Sequence, residues 1–447
     1  MDYAKLNNAD LLDEGRRYIN RGTARIAEYQ RRVGAGIDHQ PEPVAEEPPA
    51  EPEPTPDPVD PEPVDPNEPV DPSTPEPTPK EIPLGRWIKA EEEPEIAVLS
   101  DAEIDKWLVG ARIPADNKTD PVGAFRFHGN ATHLGRFDPI VYKGEDGRGE
   151  EDVGHLHTFA NNDGVTGFST YESIRKTGSG SSIGGALNKT AEWATTLTAI
   201  DNETGKRVPL FPNRIGRYYK AIPDYSQWDA ISARSPEFAA WIAKQSDRQL
   251  EFYRQTPLVD MPAGMRFIPG YRYGLGAFRN KLFRGGKEIA KSHHFADLDI
   301  QANDTIVMNI TAPDHWDGVH IDSPDHISHV VHPKRDRNYW ALIPRDGWKR
   351  INTMTANWNY TIPASVDPKT LAYSSDLELG QPAGSTAHFG YIEGFEPRIR
   401  RRWFEGAIQG HRNCSDFNLG DGAMAVRPAD FDYEHDPRSV HWDSSFY

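Results

Sequence analysis

Histidine and aspartate are concentrated in four short stretches of this 447-residue chain. They are His155-Leu156-His157, Trp316-Asp317-Gly318, the block from Asp322 to His329, and Ser375-Asp376 with His388 close behind. Imidazoles and carboxylates repeated at short spacing build metal sites, acid–base pairs and polar sugar-binding surfaces. These stretches therefore indicate metal binding, proton transfer or sugar recognition.

The spacing of the histidines favours a metal site. His155 and His157 stand two residues apart, so on a β-strand both imidazoles project from the same face. His326 and His329 stand three apart and share one side if the turn that Pro324 introduces is helical. These four histidines are the predicted ligands of a divalent metal, whose identity the sequence leaves open. The alternative is that they form hydrogen-bonded pairs and a capping loop without a metal.

Four further residues are predicted to be catalytic. Asp322 and Asp325 can orient an imidazole by accepting its second N–H, or can act as a general base. Asp376 and His388 complete the set, with Asp322 and Asp376 as a carboxylate pair suited to glycoside hydrolysis. The alternative is an internally satisfied polar core that carries no chemistry.

Aromatic and polar residues near these stretches form the predicted substrate-binding set. An aromatic ring can offer a flat platform for a sugar, although most aromatic residues fill cores. The tryptophans considered as platforms are Trp316, Trp340, Trp348, Trp358 and Trp403, with Tyr218 and Tyr219. The predicted substrate-binding residues are His133, Asp138, Asn188, Trp193, Tyr219, Trp316 and Asp317.

The elements that must position these residues are mostly β-strands. From Gly123 onward, short apolar runs are separated by Gly, Pro, Asn and Asp, which is typical of strands joined by long loops. The runs are Phe125-Arg126-Phe127, Ile140-Val141-Tyr142, Thr305 to Ile310 and Tyr339 to Ile343. A capping box at Ser100-Glu103 predicts a short helix through about Val109, and a second helix is predicted over 236–254. We expect a mainly β, sandwich-like domain with few helices, with an irregular α+β fold as the alternative.

The chain divides into four predicted segments. Residues 1–36 form an anchoring or oligomerisation helix, in which Leu12, Ile19, Ile26 and Val33 recur every seven residues. Residues 37–80 form an acidic, proline-rich extended linker. Residues 81–122 are a lead-in segment with a short helix, and residues 123–447 are the globular head. A stiff linker has a purpose only if its first segment is attached to something, so we expect a homo-oligomer or a docking partner there.

Composition excludes several classes of protein. The formal charge is −18, and twelve acidic residues between 41 and 79 leave −6 for everything else, so no basic surface for nucleic acid is expected. The single cysteine, Cys414, excludes an internal disulfide. No apolar run approaches the roughly 18 residues of a membrane span, and the first residues do not resemble an export signal. We therefore expect folding in a cytoplasm.

The motifs resemble, in order, those of domain-of-unknown-function family nineteen ninety-six (DUF1996). They are Asp138 to Tyr142, His155 to Asn161, Ser169 to Ser173, Leu187 to Trp193, Tyr218 to Lys220, Pro262 to Arg266, Trp316 to Gly318 and Asp322 to His329. The resemblance covers about residues 125–419. It implies no established activity, but it does imply one converging pocket. The matching polar residues are His133, Asp138, His155, His157, Asp322, Asp325, His326, His329, Asp376 and His388.

The chain departs from that resemblance at two positions. Relatives usually carry paired cysteines, one of them at the position of His315, so the disulfides are absent here, as expected for cytoplasmic folding. Relatives also tend to place an aspartate two residues after the histidine that matches His388, where this chain has Gly390. If that aspartate were catalytic, this copy would be impaired.

Three functions remain open at this stage. The order of helix, stiff linker and head resembles a bacteriophage virion appendage, made in the host cytoplasm, whose head binds a host envelope polysaccharide. Its first segment would then dock into another virion protein. The second function is a glycan-degrading hydrolase that uses the His/Asp pocket, with or without a metal. The third is a structural protein with a vestigial pocket.

Overall fold

A computed structural model of the chain describes residues 87–129, 131–136, 155–162, 169–178, 180, 184–274, 276–336 and 341–425. Within 131–136, only the side chains of Ala131 and Leu134 are described. The predicted N-terminal helix, the proline-rich linker, the predicted strand Ile140–Tyr142 and Asp138 lie outside these residues.

Short strands dominate the described part of the chain. In chain order they are β1 Ile88–Lys89, β2 Leu108–Gly110, β3 Gly123–Gly129, β4 Ala131–Arg136, β5 Leu156–Ala160, β6 Ala191–Thr195, β7 Leu197–Asp201, β8 Arg207–Pro209, β9 Arg214–Ala221, β10 Arg266–Phe267, β11 Phe278–Arg284, β12 Lys287–Ser292, β13 Thr305–Thr311, β14 His315–Trp316, β15 His320–Asp322, β16 Val330–Val331, β17 Lys334–Arg335, β18 Leu342–Ile343, β19 Lys349–Arg350, β20 Thr353–Thr361, β21 Val366–Tyr373, β22 Phe389–Ile392 and β23 Ala423–Ala425.

Helices are short. The α-helices are α1 Asp101–Lys106, α2 Tyr171–Thr177, α3 Trp228–Ser232, α4 Pro236–Ile242, α5 Asp247–Gln255, α6 Ser374–Glu378 and α7 Pro397–Trp403. Single turns of 3₁₀-helix occupy Ala90–Glu92, Gly185–Leu187, Tyr225–Gln227, Tyr271–Tyr273 and Phe295–Asp297, and a π-helix follows α7 over Phe404–Gln409.

Two antiparallel sheets enclose the main core. The larger has the strand order β12-β11-β13-β20-β9-β3, and the smaller has the order β10-β22-β6-β5-β4. One main hydrophobic cluster contains Phe127 and Trp358 from the larger sheet together with Ala194 and Phe389 from the smaller. The Tyr219 hydroxyl of β9 donates a hydrogen bond of 3.2 Å to the Tyr391 hydroxyl of β22 across this core. The predicted mainly β, sandwich-like architecture is confirmed.

The second face of the smaller sheet carries its own small apolar cluster. Phe159, Ala191, Trp193 and Ile392 of this sheet pack there with Ile174 of α2. Side chains alternate between the faces of a strand, so the residues on this face are a different set from those in the main core. We call this surface the outer face of the smaller sheet, and the histidines considered below lie on it.

Several local predictions are corrected by the structure. The single helix expected over 236–254 is two helices, because the chain leaves the helix after Ile242 and Ser246 caps a new one by accepting from the Gln249 N–H. The capped helix at Ser100 ends at Lys106, because β2 begins at Leu108 and pairs with β23. The turn at His326 is not helical, because His326 has a φ of 54°.

Candidate functional site

Three adjacent strands bring three histidines onto the outer face of the smaller sheet. His157 of β5 lies directly opposite Thr195 of β6. The Thr195 N–H donates to the His388 carbonyl at 3.3 Å, so His388 lies on the other side of Thr195. His155 precedes His157 by two residues and shares its face. Because the threonine between them is small, the three imidazoles can lean together above it.

The three rings converge closely enough to share one ion. The ring centroids of His155 and His157 are 4.0 Å apart, and that of His388 is 5.1 Å and 5.6 Å from them. One nitrogen from each ring lies within 4.8 Å of the others, and all three residues are at most 2% exposed. Nitrogens around a tetrahedral zinc ion, at about 2.0–2.1 Å from it, are about 3.4 Å apart. Small rotations of the side chains therefore suffice to form a site.

The tautomer of His388 is set by its backbone neighbour. Its Nδ1 lies 2.8 Å from the Thr386 carbonyl oxygen. A carbonyl can only accept, so Nδ1 carries the proton and donates it, and the lone pair is on Nε2. Metal-binding histidines are commonly held by this kind of second hydrogen bond.

Asp376 anchors the loop that presents His388. Its carboxylate accepts the backbone N–H of Tyr373 at 2.8 Å, of Gly384 at 2.6 Å and of Thr386 at 2.9 Å, and the Thr386 hydroxyl at 2.7 Å. Burial raises the pKa of Asp376, although the bonds from Thr386, Gly384 and Tyr373 oppose that rise. Asp376 was predicted as a catalytic carboxylate. In the structure both of its carboxylate oxygens accept hydrogen bonds that fix the loop.

A series of hydrogen-bonded hydroxyls connects the Asp376 carboxylate to Thr195, above which the three histidine rings meet. The Ser375 hydroxyl lies 2.6 Å from the Thr386 hydroxyl and 2.7 Å from the Thr195 hydroxyl. Thr195 lies between His157 and His388, so this series fixes the surface above which the rings meet. Serine and threonine carry no spacing signal in a sequence, and these three residues were not predicted.

The surroundings of His157 favour its neutral imidazole. Burial lowers the pKa of His157 well below its ordinary value, and the neighbouring His155 and His388 act in the same direction. A neutral imidazole is the form that binds a metal, so His157 does not have to lose a proton first at neutral pH.

Apolar residues form one wall of the cluster. Trp193 lies opposite Gly390 in the pairing of β6 with β22. A Cβ atom on Gly390 would lie 2.0–2.3 Å from atoms of the Trp193 indole. The indole therefore crosses β22 at Gly390, two residues after His388. Trp193 is 2% exposed and belongs to the apolar cluster of the outer face. Trp193 was predicted as a substrate-binding residue, and the structure places it as a buried ring on the face that carries the histidines.

A second polar group is built on the loop after β15. His326 Nδ1 lies 2.5 Å from Asp322 Oδ1, which also accepts the Ser323 N–H at 2.9 Å. The other carboxylate oxygen of Asp322 is 3.7 Å from Arg266 Nε. We call Asp322 and His326 the Asp–His dyad. His326 was predicted as a metal ligand, and the structure pairs it with a carboxylate instead of with His155 and His157.

The remaining residues of this loop hold its shape. Asp325 accepts from the Ser323 hydroxyl at 2.7 Å and from the Ser328 N–H at 3.0 Å. Burial tends to raise the pKa of Asp325, but hydrogen bonds from Ser328 and Ser323 outweigh it and the pKa is lowered. His329 Nδ1 is 2.8 Å from the Ser323 oxygen. Asp325, a predicted catalytic residue, and His329, a predicted ligand, are therefore parts of the turn.

The other predicted substrate residues that the structure describes make contacts of their own. Tyr219 is fully buried in the main core. The Asn188 side chain accepts from the Thr190 hydroxyl at 2.8 Å before β6 begins, whereas the histidine cluster lies at the end of β6. Trp316 donates from its indole to the His320 carbonyl at 2.6 Å, and Asp317 accepts the His320 N–H at 2.9 Å in the same turn. The side chain of His133 and the whole of Asp138 lie outside the described residues.

These observations define a β-sandwich domain with a buried histidine cluster on one sheet and an Asp–His pair beside it. The model of the family called Domain of unknown function (DUF1996) matches residues 138–395, and the chain belongs to that family. The matched range contains all three clustered histidines and the dyad. No curated protein and no solved structure matches the chain. Within the described residues, no helix is both long enough and apolar enough to cross a membrane.

Proposed function

We propose that this domain binds one divalent transition-metal ion through His155, His157 and His388 and uses it for hydrolysis. The observation that carries the proposal is the convergence of three buried imidazole nitrogens within 4.8 Å. Three protein ligands with a free fourth position are the common arrangement of catalytic zinc sites.

The donor set indicates which ions fit. Imidazole suits zinc, copper, nickel and iron, whereas magnesium and calcium prefer oxygen ligands. Three neutral imidazoles would leave the full charge on the ion. A zinc ion held in this way lowers the pKa of a bound water to about 7, which supplies hydroxide at neutral pH. Zinc is therefore the first ion to test.

A glycan is the proposed substrate class, and here the support comes from the sequence. A head carried on a long acidic linker suits a polymer fixed at a surface better than a freely diffusing metabolite. A purely adhesive head would need exposed aromatic platforms. Of the candidate platforms, Trp358 and Trp403 are at most 1% exposed and Trp316 is 6% exposed, so these three rings are not open to a sugar.

The test is metal analysis of the purified full chain. We expect one equivalent of zinc by elemental analysis and by calorimetric titration. His157→Gln and His388→Gln should each weaken zinc binding by roughly 100-fold or more, because each removes one of only three protein ligands. His411→Gln is the matched control, since His411 is equally buried but lies outside the cluster. Circular dichroism checks that every variant is folded.

The outcome separates the hydrolase from its main alternative. Zinc binding in the wild type, lost in the two cluster variants and retained in His411→Gln, supports the proposal. Folded protein that binds no zinc, copper, nickel or iron contradicts it. In that case the second candidate becomes the better one: a virion-displayed head that binds a host envelope polysaccharide. The order of helix, linker and head that the sequence predicts is the argument for it. Sedimentation of the chain with host cells tests that candidate directly.

A further inference from the structure

The imidazole of His326 is held in place by its backbone as well as by its side chain. His326 has a φ of 54°, in the left-handed region that only a few per cent of non-glycine residues adopt. Its N–H donates to the Ser323 carbonyl at 2.9 Å, and its carbonyl accepts the Ile268 N–H at 3.0 Å. These bonds hold the unusual conformation and keep the ring against Asp322.

The hydrogen bond to Asp322 leaves one nitrogen of His326 available. Asp322 Oδ1 already accepts the Ser323 N–H and is 2.5 Å from His326 Nδ1, so Nδ1 is the donor and Nε2 bears the lone pair. Among the described residues, no hydrogen bond reaches His326 Nε2, and the side chain keeps 7% of its surface exposed. His329 in the same loop differs, because its Nε2 is sealed from solvent.

The dyad lies beside the histidine cluster. Ile268 is bonded to His326, and Gly270, two residues further on, forms a β-bridge with His388. The segment 268–270 therefore runs between the two histidines like a strand between its neighbours, which puts their backbones on the order of 10 Å apart. Arg266, which approaches Asp322, lies opposite Ile392, whose side chain is part of the outer face. The dyad is thus on the face that carries the cluster.

We infer that the Asp322–His326 dyad is the proton-transfer group of the metal site, an inference that rests on the proposed function. With an ion held by the three histidines, His326 Nε2 would take a proton from the attacking water: one O–H bond of the water breaks, one N–H bond forms on Nε2, and hydroxide remains. Asp322 balances the charge of the imidazolium. After the hydroxide attacks the scissile centre, the imidazolium returns the proton to the leaving oxygen, so His326 ends neutral.

Zinc-loaded full-length protein and p-nitrophenyl acetate provide the test, because an activated ester reports zinc-bound hydroxide without specific substrate recognition. We expect His326→Gln and His326→Gly to keep stoichiometric zinc and to lose about 10- to 100-fold in rate, as is usual for a lost acid–base group. Glycine tolerates the left-handed backbone at position 326, so that variant should fold, and it leaves room for added imidazole, which should restore part of the rate. Asp322→Asn should lower the rate without rescue by imidazole.

His320→Gln is the matched control. His320 is also paired with an aspartate, Asp317 at 2.7 Å, and lies on β15, the strand that ends in Asp322, but its side chain is 24% exposed and belongs to a local turn. Its rate should equal that of the wild type. Equal rates in wild type and both His326 variants, with zinc bound, would overturn the proton-transfer role of the dyad but not the hydrolytic function of the metal site. A zinc-loaded wild type no faster than a His155→Ala/His157→Ala variant would overturn the hydrolytic function and the dyad's part in it together.

Discussion

Eight histidines are buried in the part of the chain that the structure describes, which is unusual for a residue that is mostly only partly buried. The structure gives them different surroundings. His155, His157 and His388 face one another, and His326 faces a carboxylate. His315 lies among aromatic rings, 5.3 Å from Trp348 and 5.8 Å from Phe252 between ring centroids. The same side chain can therefore serve as a ligand, as a proton carrier or as a polar ring in an apolar place.

His315 should make the protein sensitive to acid. Burial, with a smaller contribution from Arg345 and Arg350, lowers its pKa to about 4. In the unfolded chain the pKa of His315 is about 6.5, so between pH 6.5 and pH 4 the unfolded chain binds more protons than the folded chain. The stability that neutral His315 permits is complete above pH 6.5, and it is lost as the pH falls through that window.

Replacing His315 by phenylalanine should remove this sensitivity. Both of its ring nitrogens are buried, and neither has a hydrogen bond to any residue that the structure describes, so an apolar ring of similar shape should be neutral or stabilising at pH 8. At pH 5 the variant should gain about 1–2 kcal/mol relative to the wild type. Urea denaturation at both pH values measures the difference. An equal effect of the substitution at pH 5 and pH 8 would show that His315 does not titrate in this window.

At the level of the strands, the close approach of β22 to the Trp193 indole predicts that Gly390 cannot be replaced without cost. Gly390→Ala should destabilise the fold by about 1–3 kcal/mol, because the new Cβ would overlap the indole and the surroundings are packed. It should also displace the wall of the histidine cluster and weaken zinc binding. Chemical denaturation and calorimetry measure the two effects.

Gly110→Ala is the control for that substitution. Gly110 also lies in a strand, β2, but a Cβ there would have nothing within 4 Å. We expect no loss of stability or of zinc affinity from it. If Gly390→Ala were equally harmless, the indole could not be packed across β22 as described.

Strands and helices were predictable where the local pattern was strong. Phe125-Arg126-Phe127 lies within β3, and Thr305 to Ile310 lies within β13, because both are β-rich runs bounded by turn residues. The helix expected over 236–254 is interrupted, because Ser246 offers a new cap that a long periodic pattern hides. The pairing of β5, β6 and β22 involves residues far apart in the chain, and no local pattern specifies it.

The sequence predicted which residue types form the site, but it did not predict which of these residues contact one another. The spacing of His155 and His157 indicated two ligands on one face, and they do share a face. His388 was grouped with carboxylates, since only the strand order brings it to the other two. His326 was grouped with metal ligands, because the left-handed turn that points it toward Asp322 has no signature in a non-glycine residue.

Over the whole molecule, the lead-in segment is part of the packed domain. Arg400 of α7 bonds to Glu95 from that segment and to Asp260 and Glu393 from the head. The Arg175 guanidinium donates to the Ile96 carbonyl at 3.1 Å and forms a buried ion pair with Glu396. The described residues of the lead-in segment and of the head lie in the same compact unit, which begins at Pro79.

Removing the first 78 residues should therefore leave the metal site unchanged. We expect a chain that starts at Pro79 to bind zinc with the affinity of the full chain, and to be monomeric where the full chain is oligomeric. Calorimetry and light scattering measure these two properties. A truncated chain that stays oligomeric would show that the heads associate by themselves, and one that loses zinc would place part of the site in residues 1–78.

The pairing of β1 with β15 has a mechanical consequence. Ile88 of β1 is in register with Asp322, and the ring of Trp87 lies 4.7 Å from that of His320. Tension applied to the chain before Trp87 would act first on the strand that ends in Asp322. Such a tension would thus strain the Asp322 carboxylate, which holds His326, before the strain reached the three clustered histidines.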